Sequence, residues 1–305
     1  MTTVALVDWG TSSFRLWLID RSGAVLAERR SEEGMSTLAP DRFEPVLRAH
    51  LSALDPAVRP VRVVICGMAG ARQGWREAPY RPVPVALDAL PEAAICVPAA
   101  DLDVRILPGL SVPDRDAPDV LRGEETQLLG LALEDPALDG LVAMPGTHTK
   151  WVRLEKGVVR GFSTVMTGEL FALLSRESLL RHTIGDCRPS GDPESPAFTA
   201  GLAAALAAPA RLTGLLFGIR AGGLLHGATG VPAADRLSGL MIGADVAGAL
   251  HDTPMDVPVI LVASGGLADA YAAALACAGR TVRRVEADDA VRRGLTHAAG
   301  RIWPA

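Results

Sequence analysis

Residues 4–19 read Val4-Ala5-Leu6-Val7-Asp8-Trp9-Gly10-Thr11-Ser12-Ser13-Phe14-Arg15-Leu16-Trp17-Leu18-Ile19. The stretch 3–7 reads as a buried strand, and 14–19, rich in aromatic and branched residues, as a second. A third, 24–29, follows the turn Asp20-Arg21-Ser22-Gly23, so the chain opens as an antiparallel meander. Gly10-Thr11-Ser12-Ser13 joins the first two strands. A Gly-Thr/Ser turn there presents backbone N–H groups and hydroxyls in a concave loop, an anion cradle, although an isolated one is an ordinary hairpin connection.

The pattern occurs twice. Strands expected at 141–144, 150–155 and 158–164 enclose Gly146-Thr147-His148-Thr149, which stands 136 residues after Gly10-Thr11-Ser12-Ser13. Such a period points to duplicated domains, and two cradles can clamp a polyphosphate. Asp8, at the end of the first strand, is placed to hold Mg²⁺, which prefers carboxylate and water oxygens. Outside the repeats, 42–54 has helical apolar spacing and 61–66 a buried-strand pattern, giving β-β-β-α-β. Residues 74–118 are proline-punctuated, with strands at 95–97 and 104–107, and 114–118 reads as a linker. The domains are therefore expected at 1–118 and 119–305. The second continues through helices at 168–176, 197–207, 211–225 and 232–251, a strand at 257–263, a helix at 267–278, a strand at 281–285 and a helix at 288–299.

Composition narrows the function. The chain has 305 residues, 49% hydrophobic and 21% charged, with a net charge of −5, which fits a globular protein of about two domains. The uncharged stretch 195–210 is too short, with two prolines, for the roughly 20 apolar residues of a membrane span, and no signal peptide opens the chain; a cytoplasmic enzyme without membrane partners is expected. Lys150 and Lys156 are the only lysines. There is no Gly-Lys-Ser/Thr P-loop, no GxGxxG and no basic run for nucleic acid. Cys66, Cys96, Cys187 and Cys277 lack metal or redox spacing and are expected as buried reduced thiols. The six histidines are scattered, and most are expected at the surface or helix ends.

Here a resemblance becomes specific. Asp8 to Arg15 is similar to the first phosphate motif of the sugar kinases in the actin, hexokinase and Hsp70 superfamily, Gly146-Thr147-His148-Thr149 resembles the second, and Ala263-Ser264-Gly265-Gly266 resembles the adenosine motif. Ile65 to Tyr80, Arg122-Gly123-Glu124-Glu125-Thr126-Gln127, Pro145 to Trp151 and Met166 to Phe171 resemble the 2-dehydro-3-deoxygalactonokinase family over nearly the whole chain. The resemblance implies an α/β fold of two duplicated ribonuclease-H-like domains with an interdomain cleft. It also implies ATP and Mg²⁺ as cofactors and phosphorylation of the 6-hydroxyl of a keto-deoxy sugar acid. Gly10, Thr11, Ser12, Arg15, Gly146, Thr147, His148, Lys150, Gly265 and Gly266 would then face the nucleotide. Ser264-Gly265-Gly266 is closer to the broader sugar kinases than to the family's own pattern.

Phosphoryl transfer needs a group to receive the hydroxyl proton. Glu124 aligns with the catalytic acid of related sugar kinases, with Glu125 as the alternative; acids in a first helical turn also simply favour the helix dipole. Arg72 matches a carboxylate through its planar guanidinium, and Gln73, Trp75, Glu77 and Glu169 are candidates for the sugar. Lys150 reads equally as a phosphate ligand or a solvated strand residue. Two rivals stand beside this reading: a kinase for another sugar or sugar acid, since fold does not choose the acceptor, and an actin-like or Hsp70-like nucleotide switch. A homodimer is left open.

Overall fold

A computed structural model describes residues 3–55 and 60–304. The chain runs β1 (Val4–Trp9), β2 (Phe14–Ile19), β3 (Val25–Ser31), α1 (Phe43–Ser52), β4 (Arg62–Gly67), two-residue strands β5 (Arg81–Pro82) and β6 (Val85–Ala86), β7 (Ile95–Val97), β8 (Asp103–Ile106), β9 (Leu110–Val112) and β10 (Asp119–Leu121). There follow α2 (Glu124–Glu134), β11 (Asp139–Met144), β12 (Thr149–Glu155), β13 (Val158–Val165), α3 (Thr167–Arg176), α4 (Arg181–Ile184), α5 (Pro196–Ala207), α6 (Leu212–His226), α7 (Val231–Leu250), β14 (Val259–Val262), α8 (Gly265–Cys277), β15 (Val282–Val285) and α9 (Ala287–Ile302).

The first large sheet has the order β3-β2-β1-β4-β8-β7, and the second β15-β14-β11-β12-β13-β6. Leaving aside the outermost short strands, both repeat the ribonuclease-H-like order 3-2-1-4-5, as the duplicated turn motifs require. In the first, β1 is antiparallel to β2 and parallel to β4, which is parallel to β8. In the second, β11, β14 and β15 are parallel. The chain is therefore α/β, built on two ribonuclease-H-like sheets.

Two compact units result: residues 1–138, 154–162 and 287–305, and residues 139–153 and 163–286. This differs from the boundary expected at 118. Residues 119–138 and the C-terminal helix stay with the first sheet because α9 turns Val291, Leu295, Ala298 and Ala299 onto Leu6, Trp17, Ile19 and Val64. Helix α2 meets α9 backbone to backbone: a Cβ on Gly130 would lie 1.9 Å from the Ala290 carbonyl oxygen, and one on Gly294 2.0 Å from that of Thr126. The sequence pattern predicts a helix at 288–299 but not the sheet that it covers. The opposite face of β1 sends Ala5, Val7 and Trp9 to Phe43, Val46, Leu47 and Leu51 of α1. A central strand buried on both sides is thus continuously apolar until Asp8.

In the second unit, α5 and α7 approach closely, where a Cβ on Gly239 would come within 2.2 Å of the Phe198 carbonyl. No single helix among the described residues is long and apolar enough to cross a membrane. Only Cys66 of the four free cysteines is buried, so the expectation of four buried thiols fails for the other three. His50, in the last turn of α1, is at a helix end as expected of most histidines but is buried, its ring stacking on Phe14 at 4.3 Å.

Candidate active site

In unit 1 the carboxyl ends of the parallel strands β1 and β4 carry Asp8 and Cys66 in register, the strand end where open α/β sheets bind ligands. The Cys66 Sγ lies 3.7 Å from Asp8 Oδ1. Arg15, opposite Asp8 on β2, brings Nη1 to 3.6 Å from Asp8 and also ion-pairs with Asp288 at the start of α9. Arg30 holds the other oxygen of Asp288 at 2.8 Å. Burial raises the Asp8 pKa above the usual carboxylate value and Arg15 and Cys66 oppose it, while Asp288 and Glu124 add to the rise.

The adjoining turn is fixed from one side. A strap at 34–36 takes the Gly10 carbonyl through the Met35 N–H (3.0 Å) and the Thr11 carbonyl through the Ser36 N–H (2.8 Å). The fit admits no side chain at Gly34, whose Cβ would sit 2.4 Å from the Thr11 oxygen. Thr11 and Ser12 themselves are exposed.

Glu124 and Glu125 occupy the first turn of α2, and the charge of Glu124 reaches Asp8. The two acids face different surroundings, as successive helical side chains must. Glu125 is fully buried; Oε2 accepts from the Gly123 N–H (2.6 Å) and Oε1 from the Thr126 hydroxyl (2.9 Å). Burial, reinforced by the charge of Glu124, raises its pKa to about 7. Glu124 is partly exposed, and its Oε2 accepts from the Arg122 N–H at 3.1 Å.

Arg122 is the residue that sequence reasoning missed. Its side chain is buried over the Tyr80 ring, 4.3 Å from the centroid, with Nη2 donating to the Ala78 carbonyl at 2.6 Å. Nε and Nη1 are buried without hydrogen-bond partners. It ties the segment after β4 to the head of α2. On that segment Arg72, Gln73 and Glu77 are exposed, while Trp75 is half-buried against the core of unit 1.

Unit 2 holds the other predicted residues. Gly146 and Thr147 form the turn between β11 and β12, and the start of α3 lies against it: Glu169 N–H donates to the Thr147 carbonyl at 3.0 Å, and a Cβ on Gly168 would lie 2.5 Å from the Gly146 oxygen. His148 Nε2 and Glu169 Oε2 are hydrogen-bonded. Lys150 is not a solvated strand residue, since it is buried and its ammonium donates to the His148 carbonyl at 3.0 Å.

Gly146, Thr147 and Glu169 line a cavity of about 530 Å³ together with Phe171, Met241, Gly266 and Leu267. The glycine pair expected ahead of the helix is its first turn, because α8 starts at Gly265. A Cβ on either glycine would meet nothing within 4 Å. Behind the cavity, buried Asp245 accepts from Trp151 Nε1 (2.7 Å), the Thr167 hydroxyl (2.6 Å) and the Tyr271 hydroxyl. Burial and the Asp245 charge push the Tyr271 phenol well up, so it keeps its proton for Asp245 and accepts from the Thr149 hydroxyl at 2.8 Å.

The sequence profile of the 2-keto-3-deoxy-galactonokinase family matches residues 8–298. A Rhizobium meliloti (strain 1021) protein named as a probable 2-dehydro-3-deoxygalactonokinase is 52% identical over 308 residues, 100% of both chains. The 2-dehydro-3-deoxygalactonokinase of Escherichia coli (strain K12) is 36% identical, covering 97% of each chain. A crystal structure from Sinorhizobium meliloti, named as that of a "putative 2-dehydro-3-deoxygalactonokinase protein", superposes with a TM-score of 0.93 at 51% identity, over 99% of this chain and 100% of that one.

Proposed function

The chain belongs to the 2-keto-3-deoxy-galactonokinase family, and on that premise we propose that it transfers the terminal phosphoryl group of ATP to the 6-hydroxyl of 2-dehydro-3-deoxygalactonate. The observation that carries the reading is the gathering of Asp8, Arg15 and the Glu124–Glu125 turn at one end of the unit 1 sheet.

Transfer forms a bond from O6 of the sugar acid to phosphorus, breaks the bond to the ADP oxygen and releases the hydroxyl proton. Glu124 receives that proton. Its neighbour is unsuited, since both Glu125 oxygens are taken by the Gly123 amide and the Thr126 hydroxyl and the side chain is buried. Glu125 instead fixes the first turn of α2, and so the aim of Glu124.

Asp8 fits a Mg²⁺ ion. Three acids, Asp8, Glu124 and Asp288, stand here against two arginines, Arg15 and Arg30, and a cation would offset that excess. Asp8 would hold the ion through its carboxylate, the oxygen donor that Mg²⁺ prefers alongside water. Bound MgATP supplies the transferable phosphoryl group and the charge neutralisation that such reactions need. Arg15 adds a second positive centre, steadied by Asp288.

The cavity of unit 2 has the volume and apolar walls of a nucleoside site. Gly265 and Gly266 give it bare backbone, and the Gly146-Thr147 turn offers amides for phosphate; Lys150 braces that turn through the His148 carbonyl. Glu169 holds His148 at the rim and fixes the ring for contact with phosphate. Gly10, Thr11 and Ser12 form the cradle of unit 1. For the sugar acid, Arg72 pairs with the carboxylate, Gln73 and Glu77 meet hydroxyls, and Arg122 braces their segment from below. The packing of Trp75 into the core supports a bracing role for it as well.

A coupled assay against a panel of keto-deoxy sugar acids, with phosphorus NMR of the product, tests the reading. Turnover of 2-dehydro-3-deoxygalactonate with phosphate on O6 is expected. A higher kcat/KM for another acid reassigns the acceptor, and no turnover with any acid removes the kinase reading.

A further inference from the structure

Helix α6 has the composition of a core helix and the exposure of a surface one. Of its 15 residues only Ile219 is fully buried, with Leu212, Leu215 and Leu216 partly packed beside it. The opposite face follows the spacing Thr213, Gly214, Phe217, Gly218, Ala221, Leu224 and Leu225 and contains no charge. Phe217 is 62% exposed, Leu224 65% and Leu225 75%. Surface helices keep charged or polar residues on this side, and monomers seldom expose a contiguous apolar patch larger than a few hundred Å². Arg220, the cation in mid-helix, turns inward toward Thr183, at 3.4 Å.

Beside the exposed row lies a groove of about 350 Å³, lined by Gly218, Gly222, Ala228 and Pro232, with Arg236 also at its wall. A Cβ on Gly214 or Gly218 would meet nothing within 4 Å. The surface thus carries a protruding ring, Phe217, and a depression beginning one residue on, at Gly218. That is the requirement of a two-fold interface, where the same patch must fit itself.

We propose that α6 is the dimer interface of this protein, with Phe217 of each copy seated in the partner's groove alongside Gly218. Area supports a second copy as the occupant. Phe217, Leu224 and Leu225, with the exposed Leu179 and Val231 beside neighbouring helices (50% and 41% exposed), offer roughly 500 Å² of side chain per copy, so about 1,000 Å² over two copies, the size at which a specific interface begins.

Sedimentation equilibrium of the full chain provides the test. Wild-type protein is expected at twice the 31.9 kDa chain mass at micromolar concentration. Phe217→Glu and Leu225→Glu, each with unchanged far-ultraviolet circular dichroism, should weaken the dimer at least about 100-fold, because each leaves a charge buried against apolar surface. Gly218→Leu, which fills the groove, should do the same. Leu26→Glu, at an exposed apolar position of unit 1 (46%), should leave the mass at that of the dimer. A single-chain mass for the wild type overturns the proposal, and so does a dimer that survives all three α6 substitutions. Wild-type protein that sediments as single chains and floats with neutral phosphatidylcholine vesicles would give the face to lipid instead and overturn it too.

Discussion

A Cβ on Gly123 would stand 3.3 Å from the Cα of Gly67, and both residues hold positive φ, +106° and +88°. The end of β4 and the entry to α2 therefore touch through bare backbone, which sets the height of Glu124 above Asp8. Alanine at Gly123 combines left-handed strain of roughly 1–2 kcal/mol with a tight contact. We expect Gly123→Ala to fold with a lower melting temperature and to lose at least about tenfold in kcat, since a shift near 1 Å in a catalytic group is costly. Retention of full kcat would show that the contact does not position the acid.

The two acids should separate in kinetics. Glu124→Gln is expected to lower kcat by roughly 10²–10⁴-fold with little change in sugar-acid KM, as loss of a general base does. Glu125→Gln should cost much less, because the amide oxygen can still accept from the Gly123 N–H while its NH2 donates to the Thr126 hydroxyl oxygen. Steady-state assays of both variants decide the assignment, and the reverse ranking would make Glu125 the base.

Glu125 also makes a stability prediction with a definite sign. Its folded pKa of about 7 lies above the ordinary 4.5, so the folded chain holds this proton where the unfolded chain has released it. The side chain thus favours folding below pH 4.5 and progressively opposes it as pH rises through 7, by about 3 kcal/mol in the limit. Glu125→Gln should remove that loss. Chemical denaturation at pH 5 and pH 8 should show the variant gaining on the wild type at the higher pH; equal differences at both would refute it.

Asp245 gathers three donors in the wall behind the nucleotide-sized cavity. Asp245→Ala leaves Trp151, Thr167 and Tyr271 without their acceptor, at roughly 1–3 kcal/mol for each group that stays dry. Thr167 and Tyr271 also line the cavity. The expected outcome is a lower melting temperature and an ATP KM raised more than the sugar-acid KM. Equal rises in both would mean that the cluster only holds the fold.

The strands and turns that hold the predicted site were legible because local pattern makes them. Val4 to Val7 is apolar because β1 is covered on both faces, and Asp8 and the glycine turn interrupt it where the strand ends. Arg122 was not legible. An arginine ahead of a glycine reads as solvated, and its burial comes from Ala78 and Tyr80, more than forty residues earlier. Cys96, Cys187 and Cys277 show the converse, small apolar residues that their elements leave outside. The acids of α2 were visible as a pair, but only the fold separates a partly exposed Glu124 from an enclosed Glu125.

The contact of Gly130 with Ala290 and of Thr126 with Gly294 fits the helix bearing both acids against one that is synthesised much later. Leu6, Trp17 and Val64 wait for Val291 and Leu295 throughout synthesis. A nascent chain stopped before residue 287 would carry an uncovered apolar sheet face in its N-terminal unit. Truncation of a few turns at the C-terminus should therefore cripple the N-terminal half of the enzyme.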